Sequence, residues 1–249
     1  ELTPRNEPEP IKEINLEYKD NFLMISQMGP RKNFVDSIKW WVEEFIDQKV
    51  GLVIKSNFAS NSIADWQYLQ KHMKELLDPY KGRKCSIYLL HGDLTPGQMT
   101  GLYQHEKIKG MINIAHGEGF GLPMFEAARE GLPITTVGWS GQVDFLHHDG
   151  KDYFNKVDYT LRPIQQEAVW PGVLEKDAMW AAADQGSYKM ALRKKYKKFD
   201  KFKKIALELQ NINENKFSNE FLYSNFVNFI ISEGEIKWLD EIGKVELHG

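Results

Sequence analysis

The sequence has a single cysteine, no excess of basic residues and no long apolar run. With Cys85 alone, it can form neither an intramolecular disulfide nor a cysteine-based zinc site. Its 32 lysines and arginines are balanced by 35 aspartates and glutamates, so the net charge is -3, which argues against a non-specific nucleic-acid binder. No apolar stretch reaches about 18 residues, the length expected of a transmembrane helix. These absences favour a globular cytoplasmic protein, with no nucleic acid among its partners.

The first 20 residues differ in composition from the rest. They are polar and contain three prolines, so they predict a linker or strap rather than a signal peptide, which needs a continuous apolar stretch. The sequence does not begin with methionine, and we expect a preceding segment to be missing or removed. We divide the chain into a linker or strap at residues 1–20, a Rossmann-like domain at residues 21–174 and a C-terminal helical segment at residues 175–249.

Short apolar runs alternate with segments of helical period through the first two thirds of the chain. This α/β alternation predicts a Rossmann-like parallel sheet with helices on both faces, followed by a C-terminal helical tail. In the first predicted helix, Val35, Ile38, Val42, Phe45 and Ile46 are expected to share the buried face. Strands are predicted at residues 22–26, 51–55, 85–90, 110–115, 132–137 and within 153–162; helices are predicted at residues 33–48, 62–77, 96–103, 123–130 and, beyond residue 175, throughout the tail, including 219–231.

The most specific segment follows the fourth predicted strand and reads HGEGFGLPMFEAAREGLPI. Gly117, Gly119 and Gly121 let the backbone approach a ligand closely, and the helix that follows directs its free N–H groups at the same turn. Such a turn suits a phosphate or diphosphate. Glu118 and Glu126 would repel phosphate, so they are better placed to accept hydrogen bonds from hydroxyl groups on either side of it. A diphosphate between two hydroxyl-bearing groups describes a nucleotide sugar.

This segment resembles the nucleotide-sugar site of retaining GT-B glycosyltransferases of the family-four type, the glycosyl transferases group 1. Their hallmark, Glu-x7-Glu within E-G-F-G-L-P-x-x-E-A, runs here from Glu118 to Ala127. The resemblance covers roughly residues 22–146 and implies that Glu118 contacts the donor sugar near the reacting centre, whereas Glu126 holds the ribose hydroxyls. A turn without a ligand and a dinucleotide site are the alternatives. Backbone amides of the turn would meet the sugar and phosphates, which makes Gly119, Phe120, Gly121 and Leu122 donor-binding candidates.

Basic side chains follow the first two predicted strands. In the family, an arginine and a lysine after the first strand face the diphosphate; Lys32 falls on the lysine position, whereas Gln27 departs from the arginine position. Arg31 is the candidate to supply the missing charge, so Glu118, Lys32 and Arg31 form the catalytic set. Lys55 ends the second strand and is a candidate second cation. The alternatives are ordinary loop charges and a solvated strand-capping lysine.

Three further features complete the candidate site. Leu90 and His91 lie where the resemblance places the nucleotide base, although a structural histidine is the alternative for His91. Ser140 follows the fifth predicted strand, in a loop that the family uses near the phosphates or sugar. The basic segment from Lys189 to Lys204 predicts either an amphipathic helix with a solvated lysine face or a surface for anionic lipid or an acidic acceptor.

The resemblance implies transfer of a hexose from a nucleotide diphosphate sugar to an unknown hydroxyl acceptor, with retention of configuration. It also implies no cofactor and no obligatory metal, and the sequence has no D-x-D motif. A GT-B enzyme has two domains, so we expect the N-terminal acceptor domain, or a partner chain in its place, to lie outside this chain. The isolated chain would then bind donor but transfer slowly or not at all. A non-catalytic nucleotide-sugar-binding module is the alternative, and a peripheral membrane position is the alternative location.

Overall fold

The computed structural model describes residues 6–11 and 14–231. In its first part, every strand of the central sheet is followed by a helix, because apolar runs of strand length alternate with amphipathic segments. The elements are β1 (Asn21–Ile25), α1 (Phe34–Phe45), β2 (Gly51–Lys55), α2 (Ile63–Leu77), β3 (Ser86–Leu90), α3 (Pro96–Tyr103), β4 (Ile108–Asn113), α4 (Leu122–Arg129), β5 (Ile134–Val137) and α5 (Val143–Leu146).

The second part adds two small hairpins, one more strand of the central sheet and three helices. The first hairpin pairs β6 with β7, and the second pairs β9 with β10, in both cases antiparallel. The elements are β6 (His147–His148), β7 (Lys151–Asp152), β8 (Asn155–Val157), β9 (Tyr159–Pro163), β10 (Met179–Ala183), α6 (Gln185–Lys197), α7 (Phe199–Lys216) and α8 (Asn219–Ile230).

The central sheet has six strands in the order β3-β2-β1-β4-β5-β8, and all neighbouring pairs are parallel. Such an order places helices on both faces, which explains why the central strands read as continuous apolar runs. The predicted fold class, an α/β Rossmann-like parallel sheet, is therefore confirmed. The sixth strand predicted within residues 153–162 is β8, and the remainder of that range belongs to β9.

Two apolar clusters cover the two faces of the sheet. Side chains of a strand alternate between faces, so Phe22 of β1 belongs to one cluster and its neighbour Leu23 to the other. The first cluster contains Trp41 of α1, and the second contains Phe125 of α4. The helix α4 is thereby fixed against the sheet by its apolar side, while its first turn stays at the carboxyl edge of the strands.

Two sequence-based expectations about the elements are wrong. Val35 is 50% exposed, and the buried face of α1 is instead centred on Trp41, which is fully buried. The chain beyond residue 175 is not helical from its start, because β10 precedes α6 and pairs with β9. The boundary drawn at residue 174 falls between the two strands of this hairpin.

Helices α6 and α7 return along the sheet, where α6 packs against α1 and β8 and α7 packs against α4. The segment from Lys189 to Lys204, for which one amphipathic helix was an expectation, is divided between them, because the helix is interrupted at Lys198; Leu192 on α6 and Leu209 on α7 are both buried. In the described ranges, none of the helices combines the length and the apolar character needed to span a bilayer.

Candidate functional site

The loops that follow β1 and β4 meet at the carboxyl edge of the sheet, because β1 pairs with β4 in its centre. This contact joins residues that are 86 or 87 positions apart in the sequence. The short helical turn Pro30–Lys32 follows β1, and its left-handed cap, Asn33, starts α1 and donates to the Ile114 carbonyl at 3.2 Å. The backbone N–H of His116 also donates to the Arg31 carbonyl at 2.9 Å. The two loops are therefore bound to each other by backbone as well as side-chain hydrogen bonds.

Glu118 is the centre of this contact. The Lys32 ammonium donates to both carboxylate oxygens, at 2.7 and 2.6 Å, and the Arg31 guanidinium donates to one of them at 3.1 Å. Asn113, the last residue of β4, donates to the other oxygen at 3.3 Å. Burial raises the pKa of Glu118, but the hydrogen bond and charge of Lys32, with the bonds from Asn113 and Arg31, outweigh it and hold the pKa below its usual value. The structure thus brings all three catalytic candidates together.

The loop after β5 fixes the turn that carries Glu118. The Ser140 hydroxyl donates to the Glu118 carbonyl at 2.7 Å and accepts from the Glu118 N–H at 3.2 Å, so it already serves the protein. The Gly141 N–H donates to the same carbonyl at 3.0 Å. A side chain at Gly141 would overlap the Gly119 carbonyl, so only glycine permits this close backbone approach.

The turn itself offers its backbone to a ligand more than its side chains. Gly121 has a φ of 86°, in the left-handed region, and caps α4. Its carbonyl accepts from the N–H groups of Met124 and Phe125, and Pro123 has no N–H, so Leu122 supplies the amide at the start of the helix. The Phe120 ring points away, into a cluster with Phe125 and Phe145. Leu122 begins α4 and is 43% exposed, and Gly119 is exposed as well. An anion at this turn would meet N–H groups and the positive end of the helix.

Glu126 lies one turn further along α4 and has a partner that the sequence does not indicate. The Tyr103 hydroxyl, buried at the end of α3, donates to one Glu126 oxygen at 2.8 Å. Burial raises the pKa of Glu126, although the hydrogen bond from Tyr103 and the charge of Arg129 oppose the rise. Its environment therefore differs from that of Glu118, because an uncharged phenol donates to it where an ammonium donates to Glu118.

Lys55 and Gln27 lie at the ends of neighbouring strands. Lys55 is half-buried; burial lowers the pKa of its ammonium, and the charge of Asp93 opposes that change. Gln27 donates from its amide to the Phe58 carbonyl at 2.8 Å, so it holds the loop after β2. The residue that departs from the family pattern is therefore engaged in a structural contact.

Leu90 and His91, at the end of β3, line a cavity of about 390 Å³ together with the beginning of α2. His91 forms a hydrogen bond through Nε2 to Asp65 at 3.0 Å, and its ring lies 5.4 Å from that of Trp66. Asp65 also accepts the backbone N–H groups of the loop after β2, which the sequence analysis did not anticipate. His91 thus has a structural bond and a position on the cavity wall at the same time.

His116 precedes the glycine turn and anchors the hairpin of β9 and β10. Its ring donates through Nδ1 to the Ala181 carbonyl at 2.7 Å and stacks on Trp180, with the ring centres 4.3 Å apart. Since a carbonyl only accepts, Nδ1 carries the hydrogen. Burial lowers the pKa of His116, and the bond to Ala181 opposes this. The hairpin is in this way attached directly beside the candidate site.

Much of the basic segment from Lys189 to Lys204 is used inside the molecule. Lys189 pairs with Glu43 at 2.5 Å, and Arg193 forms two bonds to the Glu44 carboxylate, at 2.6 and 2.7 Å. Two more lysines bind backbone carbonyls: Lys195 is fully buried, and Lys203 donates to Gly131 at 2.6 Å. A lipid or acidic partner would therefore meet only part of this charge.

Three residues of the site were missed: Asn113, Tyr103 and Asp65. Asn113 could have been found, because it is a polar residue at the carboxyl end of a buried strand. Tyr103 carries no sequence signal, since its partner is set by the packing of α3 on α4. Asp65 binds the backbone N–H groups of the loop just before it. Among residues 6–11 and 14–231, no group of three or more His, Cys, Asp or Glu side chains is arranged to hold a metal ion.

Comparison with known proteins gives relatives by structure alone. No protein-family model matches the sequence, and no curated protein matches it. Among solved structures, TarM of S. aureus in a complex with UDP has a TM-score of 0.57 at 13% identity, covering 93% of this chain and 38% of that chain. The C-terminal domain of the group 1 glycosyl transferase LpcC from Francisella tularensis has a TM-score of 0.52 at 13% identity. The match covers 80% of this chain and 87% of the LpcC domain. The catalytic domain of starch synthase IV from Arabidopsis thaliana, bound to ADP and acarbose, has a TM-score of 0.50 at 14% identity. The match covers 84% of this chain and 38% of the starch synthase chain.

These likenesses fix the fold and the extent of the match. The chain has the fold of a GT-B, group 1-like glycosyltransferase domain, as the resemblance implied. It spans 38% of the length of the starch synthase and TarM chains, but most of the LpcC domain. At identities of 13 and 14%, they do not by themselves assign an activity to this chain.

Proposed function

We propose that this chain is the donor-binding domain of a retaining glycosyltransferase, which transfers a hexose from a nucleotide diphosphate sugar to a hydroxyl acceptor. One observation carries the proposal: Glu118, on the glycine turn before α4, is bound by Lys32 and Arg31 from the loop after β1. Carboxylate, cations and helix N-terminus converge on one point at the carboxyl edge of the sheet, where ligands of open α/β sheets bind.

The site supplies the groups that the reaction requires. As the bond between sugar and diphosphate breaks, negative charge grows on the leaving group, and fixed donors aimed at it are commonly worth about 3 kcal/mol each. Lys32, Arg31, the half-buried Lys55 and the amide at the start of α4 fill this role in the proposal. Glu118 faces the sugar, and Glu126 holds the ribose hydroxyls. The departing phosphate oxygen takes the proton of the acceptor, so no further base and no cofactor is invoked.

The bound nucleotides of two solved structures support a nucleoside diphosphate as the ligand, because TarM was crystallised with UDP and starch synthase IV with ADP. The acceptor domain is proposed to come from outside this chain, in keeping with the 38% coverage of both proteins. A peripheral membrane position also stays a proposal. It would involve lysines of the basic segment other than Lys189, Lys195 and Lys203, which bind groups inside the molecule.

A non-catalytic nucleotide-sugar-binding module is the second candidate. Gln27 favours it, because this uncharged residue occupies the family's arginine position and donates its amide to the Phe58 carbonyl. The loss of that cation lowers the charge available to the leaving group, which matters for transfer more than for binding. Donor hydrolysis or transfer by the full-length protein distinguishes the two candidates.

A thermal-shift panel of nucleoside diphosphates tests the binding role. A ligand at 100 times its Kd stabilises the native state by about 2.7 kcal/mol, which corresponds to roughly 5–10 °C for a chain of this size. Glu126→Gln keeps an oxygen for Tyr103 but removes the charge, and we expect it to weaken binding by about 1–3 kcal/mol.

Glu75→Gln is the matched control, because Glu75 is exposed on α2 and pairs with Lys71 one turn away. It should leave the shift unchanged. If no nucleoside diphosphate raises the melting temperature, or if Glu126→Gln binds as well as the parent protein, the assigned site is wrong.

A further inference from the structure

The cavity beside β3 presents hydrogen-bond acceptors, and we propose that it selects guanine, so that the donor is a guanosine diphosphate sugar. The inference rests on the proposed function, because it names the base of the nucleotide that the site would hold. It is argued from two side chains on the cavity wall, His91 and Asp93, each of which is held in place by a hydrogen bond to a neighbour.

The cavity has the position and the lining expected of a base site. Its volume is about 390 Å³, and it opens between the end of β3 and the beginning of α2. Leu90 and Leu94 on its wall pack against the same apolar cluster as Tyr103, and Tyr103 is the partner of Glu126. The cavity therefore lies at the same carboxyl edge of the sheet as the glycine turn, because β3 and β4 both run parallel to the strands between them. The remaining lining residues are Asn61, Ser62, Ile63, Trp66, Leu89, His91 and Asp93.

The hydrogen bond between His91 and Asp65 fixes the His91 ring on the cavity wall. Asp65 accepts the N–H groups of Phe58, Ala59 and Ser60, at 3.0, 2.8 and 3.3 Å, so it is a carboxylate. Burial raises the pKa of Asp65, but these bonds and the one from His91 hold that pKa well below its usual value. A carboxylate can only accept, so Nε2 of His91, 3.0 Å away, carries the hydrogen. In the neutral ring, Nδ1 is then left with a lone pair.

Asp93 contributes a charged hydrogen-bond acceptor. Asn61 donates from its amide to Oδ1 of Asp93 and so orients the carboxylate on the exposed rim of the cavity. Each carboxylate oxygen accepts more than one hydrogen bond, so both oxygens stay available to a ligand. Asn61 uses one of its two amide hydrogens for this bond to Asp93. The cavity thus has an oriented carboxylate next to a fixed imidazole ring.

Guanine is the base whose edge complements this arrangement. It presents two adjacent donors, N1–H and the N2 amino group, which match the two oxygens of a carboxylate. Uracil presents two carbonyl oxygens around a single N–H, so its oxygens would face the lone pairs of Asp93. Adenine places an unprotonated ring nitrogen beside its amino group. Pairing of polar edges by donor and acceptor pattern commonly discriminates bases by roughly 5- to 150-fold in affinity. Trp66 adds an aromatic ring to the cavity wall.

Isothermal titration of the chain with GDP, UDP, ADP and xanthosine diphosphate tests the inference. We expect GDP to bind at least tenfold more tightly than UDP and ADP. Asp93→Asn should weaken GDP binding at least tenfold and strengthen binding of xanthosine diphosphate, because the new amide donates to the oxygen that xanthine carries at C2. Asp47→Asn is the matched control, since Asp47 is an exposed aspartate between α1 and β2, at the opposite edge of the sheet.

The outcomes separate this inference from the proposed function. Preference for GDP that Asp93→Asn shifts toward xanthosine diphosphate supports both. If UDP or ADP binds as tightly as GDP, or if Asp93→Asn leaves the order of affinities unchanged, guanine selection is overturned while nucleotide binding stands. If none of the four nucleotides binds to the parent chain, the proposed function and the inference are both overturned.

Discussion

At the scale of single residues, Glu118 competes with the ligand for the cations of the site. Its carboxylate is bound by Lys32 and Arg31. A diphosphate needs the same two cations, and the two anions repel each other across them. The same carboxylate is nevertheless required opposite the sugar when the bond breaks. Binding and transfer should therefore respond to its removal in opposite directions.

We predict that Glu118→Gln binds a nucleoside diphosphate more tightly, by about three- to tenfold, because Lys32 and Arg31 lose a charged partner. Transfer by the full-length protein should fall about 100-fold or more, since the sugar loses its facing carboxylate. Calorimetric titration measures the first effect, and donor turnover measures the second. Glu126→Gln provides the contrast, because its binding should weaken. A weaker-binding Glu118→Gln would show that Glu118 serves the ligand in the ground state.

The same residues show how far the sequence leads. Glu118, Glu126 and Lys32 could be predicted, because their spacing belongs to a dense motif and strand ends of a parallel sheet meet at one edge. The pairing of Arg31 with Glu118 could not, because it depends on the rotamers of a turn 87 residues away. Tyr103 was missed for a related reason: only the packing of α3 on α4 brings its hydroxyl to Glu126.

At the scale of elements, the site depends on a contact between two loops, made by the Ser140 hydroxyl and by a close approach of the two backbones. The loops after β4 and β5 meet where Gly141 lies against the Gly119 carbonyl, and Ser140 is held there at a φ of 73°. This contact sets the position of Glu118 relative to the first turn of α4. The geometry of the site therefore depends on Gly141, a residue to which we assign no contact with a ligand.

We predict that Gly141→Ala separates these loops. Its Cβ would overlap the Gly119 carbonyl, and overpacking of this kind costs about 1–3 kcal/mol of the unfolding free energy. Nucleoside diphosphate affinity should fall at least tenfold, because the glycine turn is displaced. Gly117→Ala is the matched control: its Cβ would meet Ser140 at 3.6 Å, an ordinary contact. Urea unfolding and titration check both variants, and equal behaviour of the two would contradict the role of this contact.

The elements of the sheet could be predicted more completely than those that follow it. Buried parallel strands read as apolar runs, so β1 to β5 were found within a few residues. The hairpin of β9 and β10 was missed, because β9 is largely exposed and β10 contains three alanines, which are poor strand formers. The break between α6 and α7 was also missed, since Lys198 is neither glycine nor proline and leaves the apolar period almost intact.

At the scale of the whole molecule, a buried lysine connects the C-terminal helices to the centre of the sheet. Lys195 of α6 is fully buried, and its ammonium donates to the Met111 carbonyl at 3.2 Å and the Pro133 carbonyl at 3.5 Å. It also lies 4.9 Å from the centre of the Phe22 ring. Gly110 leaves the necessary room, because any Cβ there would meet the ammonium. These hydrogen bonds go to carbonyls and not to a carboxylate.

Burial lowers the pKa of Lys195 to about 7, whereas an unfolded lysine titrates near pH ~10.4. Between these values, the unfolded chain binds more protons than the native one, so the unfolding free energy rises with pH. The stabilisation that the neutral amine provides is complete above about pH 10.4 and is lost as the pH falls to about 7. The unfolding free energy changes by up to ~1.4 kcal/mol per pH unit in this window.

Lys195→Met should remove this slope, because a thioether of similar length has no charge to desolvate. Urea unfolding at several pH values across this window measures it, with Lys194→Met on the exposed side of α6 as the control. If the unfolding free energy of Lys195→Met rises with pH as steeply as that of the parent chain and the control, the buried ammonium keeps its proton. The sheet and α6 would then tolerate a full charge between them.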